Sequence, residues 1–240
     1  MEETRLQKFI SDCGIMSRRA AEAEIEKGNF TVNGITARIG QKINTESDTV
    51  EYFGKKIVPN TGENYTYIML NKPRGVISSA KDDRGRTCVT DIVKIKGKRL
   101  YPVGRLDYNS DGLILMTDDG EFTNKLTHPK HKIPKIYHVT VSGTISENEY
   151  KTLSSPLIID GYKIRPVKVD IISSANGTSL LRMELYEGRN RQIRKMCDIA
   201  GLKVLSLTRI AIGNVTLSEL RCGTWRYLTD DEINYLKKES

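Results

Sequence analysis

From residue 65 onward the chain is a succession of short strand-like runs, and that pattern restricts it to folds whose core is a sheet. Tyr65-Thr-Tyr-Ile-Met-Leu70, Tyr137-His-Val-Thr-Val141, Val167-Lys-Val-Asp-Ile-Ile172 and Leu180-Leu-Arg-Met-Glu-Leu185 are rich in β-branched and aromatic residues. Helical patterns are fewer: Asp91-Ile-Val, Glu121-Phe-Thr-Asn-Lys-Leu126 and Gln192-Ile-Arg-Lys-Met-Cys-Asp-Ile-Ala200. Thr229-Asp-Asp-Glu232 is a capping box that opens a final helix. Strand signals outnumber helix signals without repeating as units, so the fold class is α+β.

The first sixty residues read differently. Leu6, Phe9, Ile10 and Cys13 recur at helical spacing and Gly14 stops the run, which predicts a short helix over about 4–13. Ser17 is a good N-cap for a second helix that carries Ala20, Ala21, Ala23 and Ile25 and ends at Gly28. Asn29-Phe-Thr-Val32, a tight turn at Asn33-Gly34, Ile35-Thr-Ala-Arg38 and Asp48-Thr-Val-Glu-Tyr-Phe53 then predict a small sheet. Pro59-Asn-Thr-Gly-Glu-Asn64 collects turn formers and no apolar residue, so the domain boundary is expected there, with one domain over 1–60 and a second over 65–240.

Charge points toward a polyanionic partner. The net charge is +8; residues 1–60 carry nine Lys/Arg and nine Asp/Glu, whereas 61–240 carry 29 and 21, so the excess lies in the larger part. Four cysteines, Cys13, Cys88, Cys197 and Cys222, show no C-x-x-C pairing and are expected as free thiols. No run of about 18 apolar residues is present, and the charged opening Met1-Glu-Glu-Thr-Arg5 has no signal-peptide core. A cytoplasmic protein without a membrane partner is expected. His128-Pro-Lys-His131 has no Cys or acidic companion, so no metal site is expected. Nor is there a P-loop or a G-x-G-x-x-G, and no cofactor is expected.

Two segments carry chemistry. Ser17-Arg18-Arg19 places two guanidinium groups in the first turn of a helix, where the dipole already favours anions. Taken alone, these could equally be two solvated arginines. With Arg5-Leu-Gln-Lys-Phe-Ile10, Ile25, Gly28 and Val32-Asn-Gly34, the segment resembles the alpha-L RNA-binding domain of ribosomal protein S-four over about fifty residues. The resemblance implies that Arg5, Lys8, Arg18 and Arg19 face RNA.

The second is Gly104-Arg-Leu-Asp107-Tyr-Asn-Ser110-Asp-Gly-Leu-Ile-Leu-Met-Thr117-Asp-Asp-Gly120, in which a polar loop precedes a buried strand, Leu113–Met116. Chemistry alone leaves two readings open: Asp107 could cap a turn and Asp111-Gly112 could form a hairpin corner, or the loop could present functional side chains. The segment closely resembles the G-R-L-D-x-x-S-x-G-L motif of RsuA-type pseudouridine synthases, including the large-subunit enzymes of the RluB and RluF sort. Asn71-Lys-Pro-Arg-Gly75, Lys135-Ile-Tyr137 and Glu187-Gly-Arg-Asn-Arg-Gln-Ile-Arg-Lys-Met196 match three further motifs of that family in the right order. Met116 and Asp118 depart from its commonest pattern, away from Asp107.

The resemblance implies a cofactor-free isomerase of ribosomal RNA with a mixed, largely antiparallel sheet. Asp107 falls on the nucleophilic aspartate, with attack at the sugar or at the base left open. Arg194 falls on the basic partner that keeps it ionised, and arginine suits this because it does not deprotonate. Tyr137 would stack on a uracil flipped from its helix, and Arg105 would fill the space vacated. Arg74, Arg189, Arg191 and Gln192 are expected on the RNA-binding surface. Asn190-Arg-Gln192 favours 23S (large-subunit) ribosomal RNA over small-subunit RNA, and a monomer is expected. Two alternatives stand beside it: a non-catalytic RNA-binding assembly factor, and a glycoside hydrolase pairing Asp107 with Asp111 or Asp118, disfavoured by a single Trp and a basic charge.

Overall fold

A computed structural model describes residues 3–58, 65–128, 130 and 133–239. The expected linker at 59–64, the opening Met1 and Glu2, and His131 lie outside the described residues. The chain divides into two compact units: Met1–Thr66 with Lys96–Arg99 and Asp118–Gly120, and Tyr67–Ile95 with Leu100–Thr117 and Glu121–Ser240.

The first unit runs β1 (Glu3–Arg5), α1 (Leu6–Asp12), α2 (Arg18–Glu26), β2 (Phe30–Val32), β3 (Ile35–Thr36), β4 (Lys42–Asn44), β5 (Val50–Tyr52) and β6 (Lys55–Lys56). Helix α1 starts two residues later than its periodicity suggests, because Glu3–Arg5 pair as a strand with β4. The Ser17 hydroxyl accepts from the Ala20 amide at 3.1 Å and fixes the start of α2. Sheet order is β3-β2-β5-β6. Its first turn, Asn33-Gly34, has φ of +52° and +79°, and Phe53-Gly54 repeats that left-handed pair at +48° and +72°. Leu6, Phe9, Ile10, Ile25, Phe30 and Val50 pack one small core.

The second unit contains β7 (Tyr67–Lys72), α3 (Val89–Ile92), β8 (Tyr101–Val103), β9 (Asp111–Thr117), α4 (Gly120–Thr127) and β10 (Lys135–Ser142). There follow α5 (Glu147–Ser154), β11 (Ile158–Ile159), β12 (Tyr162–Lys163), β13 (Lys168–Ala175), β14 (Thr178–Leu185) and α6 (Gln192–Ile199). The chain closes with β15 (Val204–Ile212), β16 (Val215–Thr216), β17 (Trp225–Tyr227) and α7 (Asp230–Glu239). Its main sheet has the order β13-β14-β10-β15-β9-β7-β17, with β16 beside β15 and β8 beside β9. Only the β9–β15 pairing is parallel among those described, so the sheet is mixed and largely antiparallel.

Every residue of β7 is buried, as is β9 beyond its first, which accounts for their unbroken apolar sequence: both faces are covered. By contrast β13 lies at the edge and leaves Ile171 and Ile172 exposed. Two elements carry signals that the reading above passed over. Ser146-x-x-Glu149 is a capping box that opens α5, and Val204–Ile212 alternates inward and outward as β15.

Asp111-Gly112 is not a hairpin corner; it begins β9. Gly112 has φ +103° and stands in register with Arg209 of β15. A Cβ there would sit 2.3 Å from the Arg209 carbonyl oxygen, so only glycine lets these two strands approach.

Candidate active site

The loop 104–110 between β8 and β9 is anchored on both sides of Asp107. Before it, the Leu106 amide donates to Ser78 Oγ at 3.0 Å, and the same hydroxyl donates to Leu106 O at 2.9 Å. After it, Tyr108 O accepts from the Gly75 amide at 2.8 Å, and the Ser110 amide turns back to Asp107 O at 3.1 Å. Asn71 and Gly75 thus have structural reasons to stand where they do: Asn71 Nδ2 donates to Leu220 O at 2.7 Å, holding the end of β7, and Gly75 adopts φ +78°.

Arg194, on α6, reaches this loop from the other side. Its Nη2 donates to Asn109 O at 2.9 Å and to Ser110 Oγ at 3.3 Å. Its Nε lies 3.9 Å from Asp107 Oδ2, and Arg191 Nη1 is equally distant. That is charge proximity, longer than a hydrogen bond. The Arg194 Nε is buried and has no hydrogen-bond partner among the described residues, a donor left in reserve beside the carboxylate. Burial and the Arg191 charge pull the Arg194 guanidinium below its ordinary value, while Asp107 works against them. Even so it remains a cation at neutral pH.

Asp107 opens into a cleft of about 710 Å³, a size that accepts a nucleoside. Seven Lys/Arg and two carboxylates line it, so the cleft favours anionic ligands. Tyr137 lines it from β10 and is 8 % exposed; Arg105, Arg189 and Arg191 are exposed along it. The Arg189 guanidinium stacks on the Tyr162 ring, 3.1 Å from its centroid. Arg191 holds φ +52° as the N-cap of α6, a left-handed conformation that costs an ordinary residue about 1 kcal/mol or more. Arg74 is exposed beyond β7.

Gln192 is 3 % exposed and turned inward, its Oε1 accepting from the Arg189 amide at 3.1 Å and its Nε2 donating to Glu187 Oε1 at 3.2 Å, so it shapes the loop that carries Arg189 and Arg191. In the first unit Arg5, Lys8, Arg18 and Arg19 are all exposed, with Lys8 paired to Asp12 at 2.6 Å. Ser17 Oγ leaves other amides of the α2 N-terminus to solvent or a ligand, and no acid stands in that first turn.

Two buried cations, Lys72 and Arg209, and the half-buried Lys135 were given no role by the sequence. Lys72 is fully buried and donates to Pro73 O and Val76 O, both at 2.9 Å; burial holds it down to about 8. Lys135 and Arg209 line the cleft floor. Lys135 carried a signal in the K-x-Y segment, whereas Arg209 had none, because its importance arises from strand pairing. Among the described residues, no group of three His, Cys, Asp or Glu side chains converges as a metal site.

A family profile described as RNA pseudouridylate synthase matches residues 66–198, more than half of the chain and inclusive of Asp107, Tyr137 and Arg194. The chain belongs to the RNA pseudouridylate synthase family. Over 236 residues it is 41 % identical to ribosomal large subunit pseudouridine synthase B of Bacillus subtilis, covering 97 % of this chain and 95 % of that protein. It is 40 % identical to the dual-specificity RNA pseudouridine synthase RluF of Escherichia coli over 229 residues, 95 % of this chain and 77 % of the relative. A crystal structure of a pseudouridylate synthase superposes with a TM-score of 0.68 at 32 % identity, covering 97 % of this chain and 99 % of the other. Within the matched stretch, Asp107 and Tyr137 line the same basic cleft, and Arg194 stands 3.9 Å from Asp107.

Proposed function

We propose that this chain isomerises a uridine of ribosomal RNA to pseudouridine, with 23S (large-subunit) RNA as its substrate. The observation that carries the proposal is Asp107, fixed between two anchored turns at the wall of a basic cleft with Arg194 and Arg191 each 3.9 Å away. The large-subunit choice is supported by the name of the Bacillus subtilis relative and by the Asn190-Arg-Gln192 sequence.

In this reading Asp107 attacks the nucleotide, and Arg194 holds its charge in a site that a bound base would dehydrate. Tyr137 stacks on the flipped uracil, and Arg105 enters the space left in the RNA. Arg74, Arg189 and Arg191 receive backbone phosphates near the target. Residues 1–60 act as an alpha-L RNA-binding domain, with Arg5, Lys8, Arg18 and Arg19 as its contacts. The enzyme works as a cytoplasmic monomer without cofactor. No described helix is long and apolar enough to cross a membrane.

The direct test is tritium release from large- and small-subunit RNA transcribed with 5-tritiated uridine, since isomerisation frees the hydrogen at C5. Release from the large-subunit RNA is expected; release confined to the small-subunit RNA, or from neither, contradicts the proposal. Two further outcomes follow. Arg194→Lys should slow the chemical step by about 10²-fold, with little change in RNA affinity, because one ammonium cannot both hold Asn109 O and face Asp107. Single-turnover rates at saturating RNA read that effect. RNA binding should weaken steeply with salt, with a slope of log K against log salt steeper than about −3 if four or more phosphates are contacted. Filter binding across a salt series measures it.

A further inference from the structure

The floor of the cleft carries two neighbouring cations, Lys135 and Arg209, neither of which forms an ion pair among the described residues. Lys135 and Tyr137 stand two apart on β10 and project from one face; Arg209 on β15 lies directly opposite Tyr137 in register. All three line the cleft that holds Asp107. Arg209 is 4 % exposed; its Nε donates to Leu113 O at 2.7 Å, and its Nη2 has no hydrogen-bond partner among the described residues. Lys135 Nζ donates to Ile133 O at 3.2 Å. Burial and the adjacent Arg209 charge hold Lys135 down to about 8, with no carboxylate opposing them.

A buried guanidinium beside a half-buried ammonium is costly unless an anion joins them. Phosphates have the exposed arginines of the rim. The floor is apolar around its cations, with Leu115, Leu126 and Ile212 each buried and lining the same cleft. Such walls suit a flat ring whose charge is spread, and they suit a strongly hydrated phosphate poorly.

We infer that Lys135 and Arg209 form the subsite that holds the detached uracil as its anion, by donating to its carbonyl oxygens. This rests on the isomerase reading above and names the species the floor is built for. As an Asp107 carboxylate oxygen bonds to C1′, the C1′–N1 bond breaks, its electron pair leaves with the ring and the negative charge spreads over N1, O2 and O4. After the ring turns, a pair at C5 forms the C1′–C5 bond while the C1′–O bond breaks and returns its pair to the Asp107 carboxylate; the C5 hydrogen then departs as a proton to water and N1 takes one up. No oxidant or reductant is required. Cations that grip the anion more tightly than the neutral base lower the barrier on both sides of it.

The test uses the full-length protein and three probes in calorimetric titrations at neutral pH: barbituric acid, which is an ionised pyrimidine there, uracil, and inorganic phosphate. Barbiturate should bind at least about tenfold more tightly than uracil, as expected of a charge-assisted contact. Lys135→Met should abolish that preference and Lys135→Arg should keep it. Barbiturate binding no tighter than uracil, displacement of it by equimolar phosphate, or an unchanged preference in Lys135→Met each overturns the inference. Should Lys135→Met fail to fold, the ranking of the three probes on the wild-type protein decides alone. If the ranking fails while tritium release still depends on Asp107, the subsite falls and the isomerase reading stands. If no RNA releases tritium, both fall.

Discussion

Asp107→Asn is expected to lower the single-turnover rate of pseudouridine formation by at least about 10⁴-fold, the scale on which removal of a nucleophile acts. The amide keeps the size and shape of the carboxylate but has no charge with which to attack. Fold should be preserved, because the loop is held by backbone contacts at Leu106, Tyr108 and Ser110 and by Arg194 at Asn109 O, none of which uses the Asp107 carboxylate. The ion pairs that are lost are long and the carboxylate is 31 % exposed, so their loss should cost under about 1 kcal/mol. RNA affinity should stay within about twofold, since phosphate contacts come from cations and this change removes an anion. Filter binding beside the rate measurement separates the two effects; a matching loss of binding would return the site to a merely structural role.

Gly112→Ala should be the most destabilising single change in the second unit. Its Cβ would meet the Arg209 carbonyl oxygen at 2.3 Å and the Arg209 amide nitrogen at 2.7 Å, both of them backbone atoms that cannot swing aside. The residue also holds φ +103°, where an L side chain is strained whatever the space. The parallel β9–β15 pairing must open, at a cost of about 4 kcal/mol or more. For a domain of this size that lowers the thermal midpoint by roughly 8–16 °C. Differential scanning calorimetry reads the shift, and a midpoint within about 3 °C of wild type would show that β9 and β15 can part without penalty.

Local chemistry was legible in the sequence wherever a few adjacent residues decide it. Ser17 caps α2, Thr229 and Glu232 close a reciprocal pair at α7, and Asn33-Gly34 makes the turn between β2 and β3. The sheet class was legible from its strand runs, and the order of the motifs pointed to the family. What stayed hidden depends on partners distant along the chain. β15 joins β10 to β9 across separations of roughly seventy and a hundred residues, so nothing within Val204–Ile212 announces that Arg209 will reach the cleft floor. The loop-shaping part of Gln192 was hidden for a related reason: its amide is engaged by Arg189 and Glu187 within its own loop. Gly112 looked like a turn because glycine after Asp is a turn signal. Its true cause, a neighbouring backbone, comes from the other end of the catalytic unit.

The most direct measurement is a map of pseudouridines in ribosomal RNA from cells lacking this chain, restored either with the wild-type chain or with Asp107→Asn. The account predicts that at least one pseudouridine of the large-subunit RNA disappears with the chain, returns with the wild type and does not return with the variant. A map unchanged by deletion, or fully restored by Asp107→Asn, would contradict it.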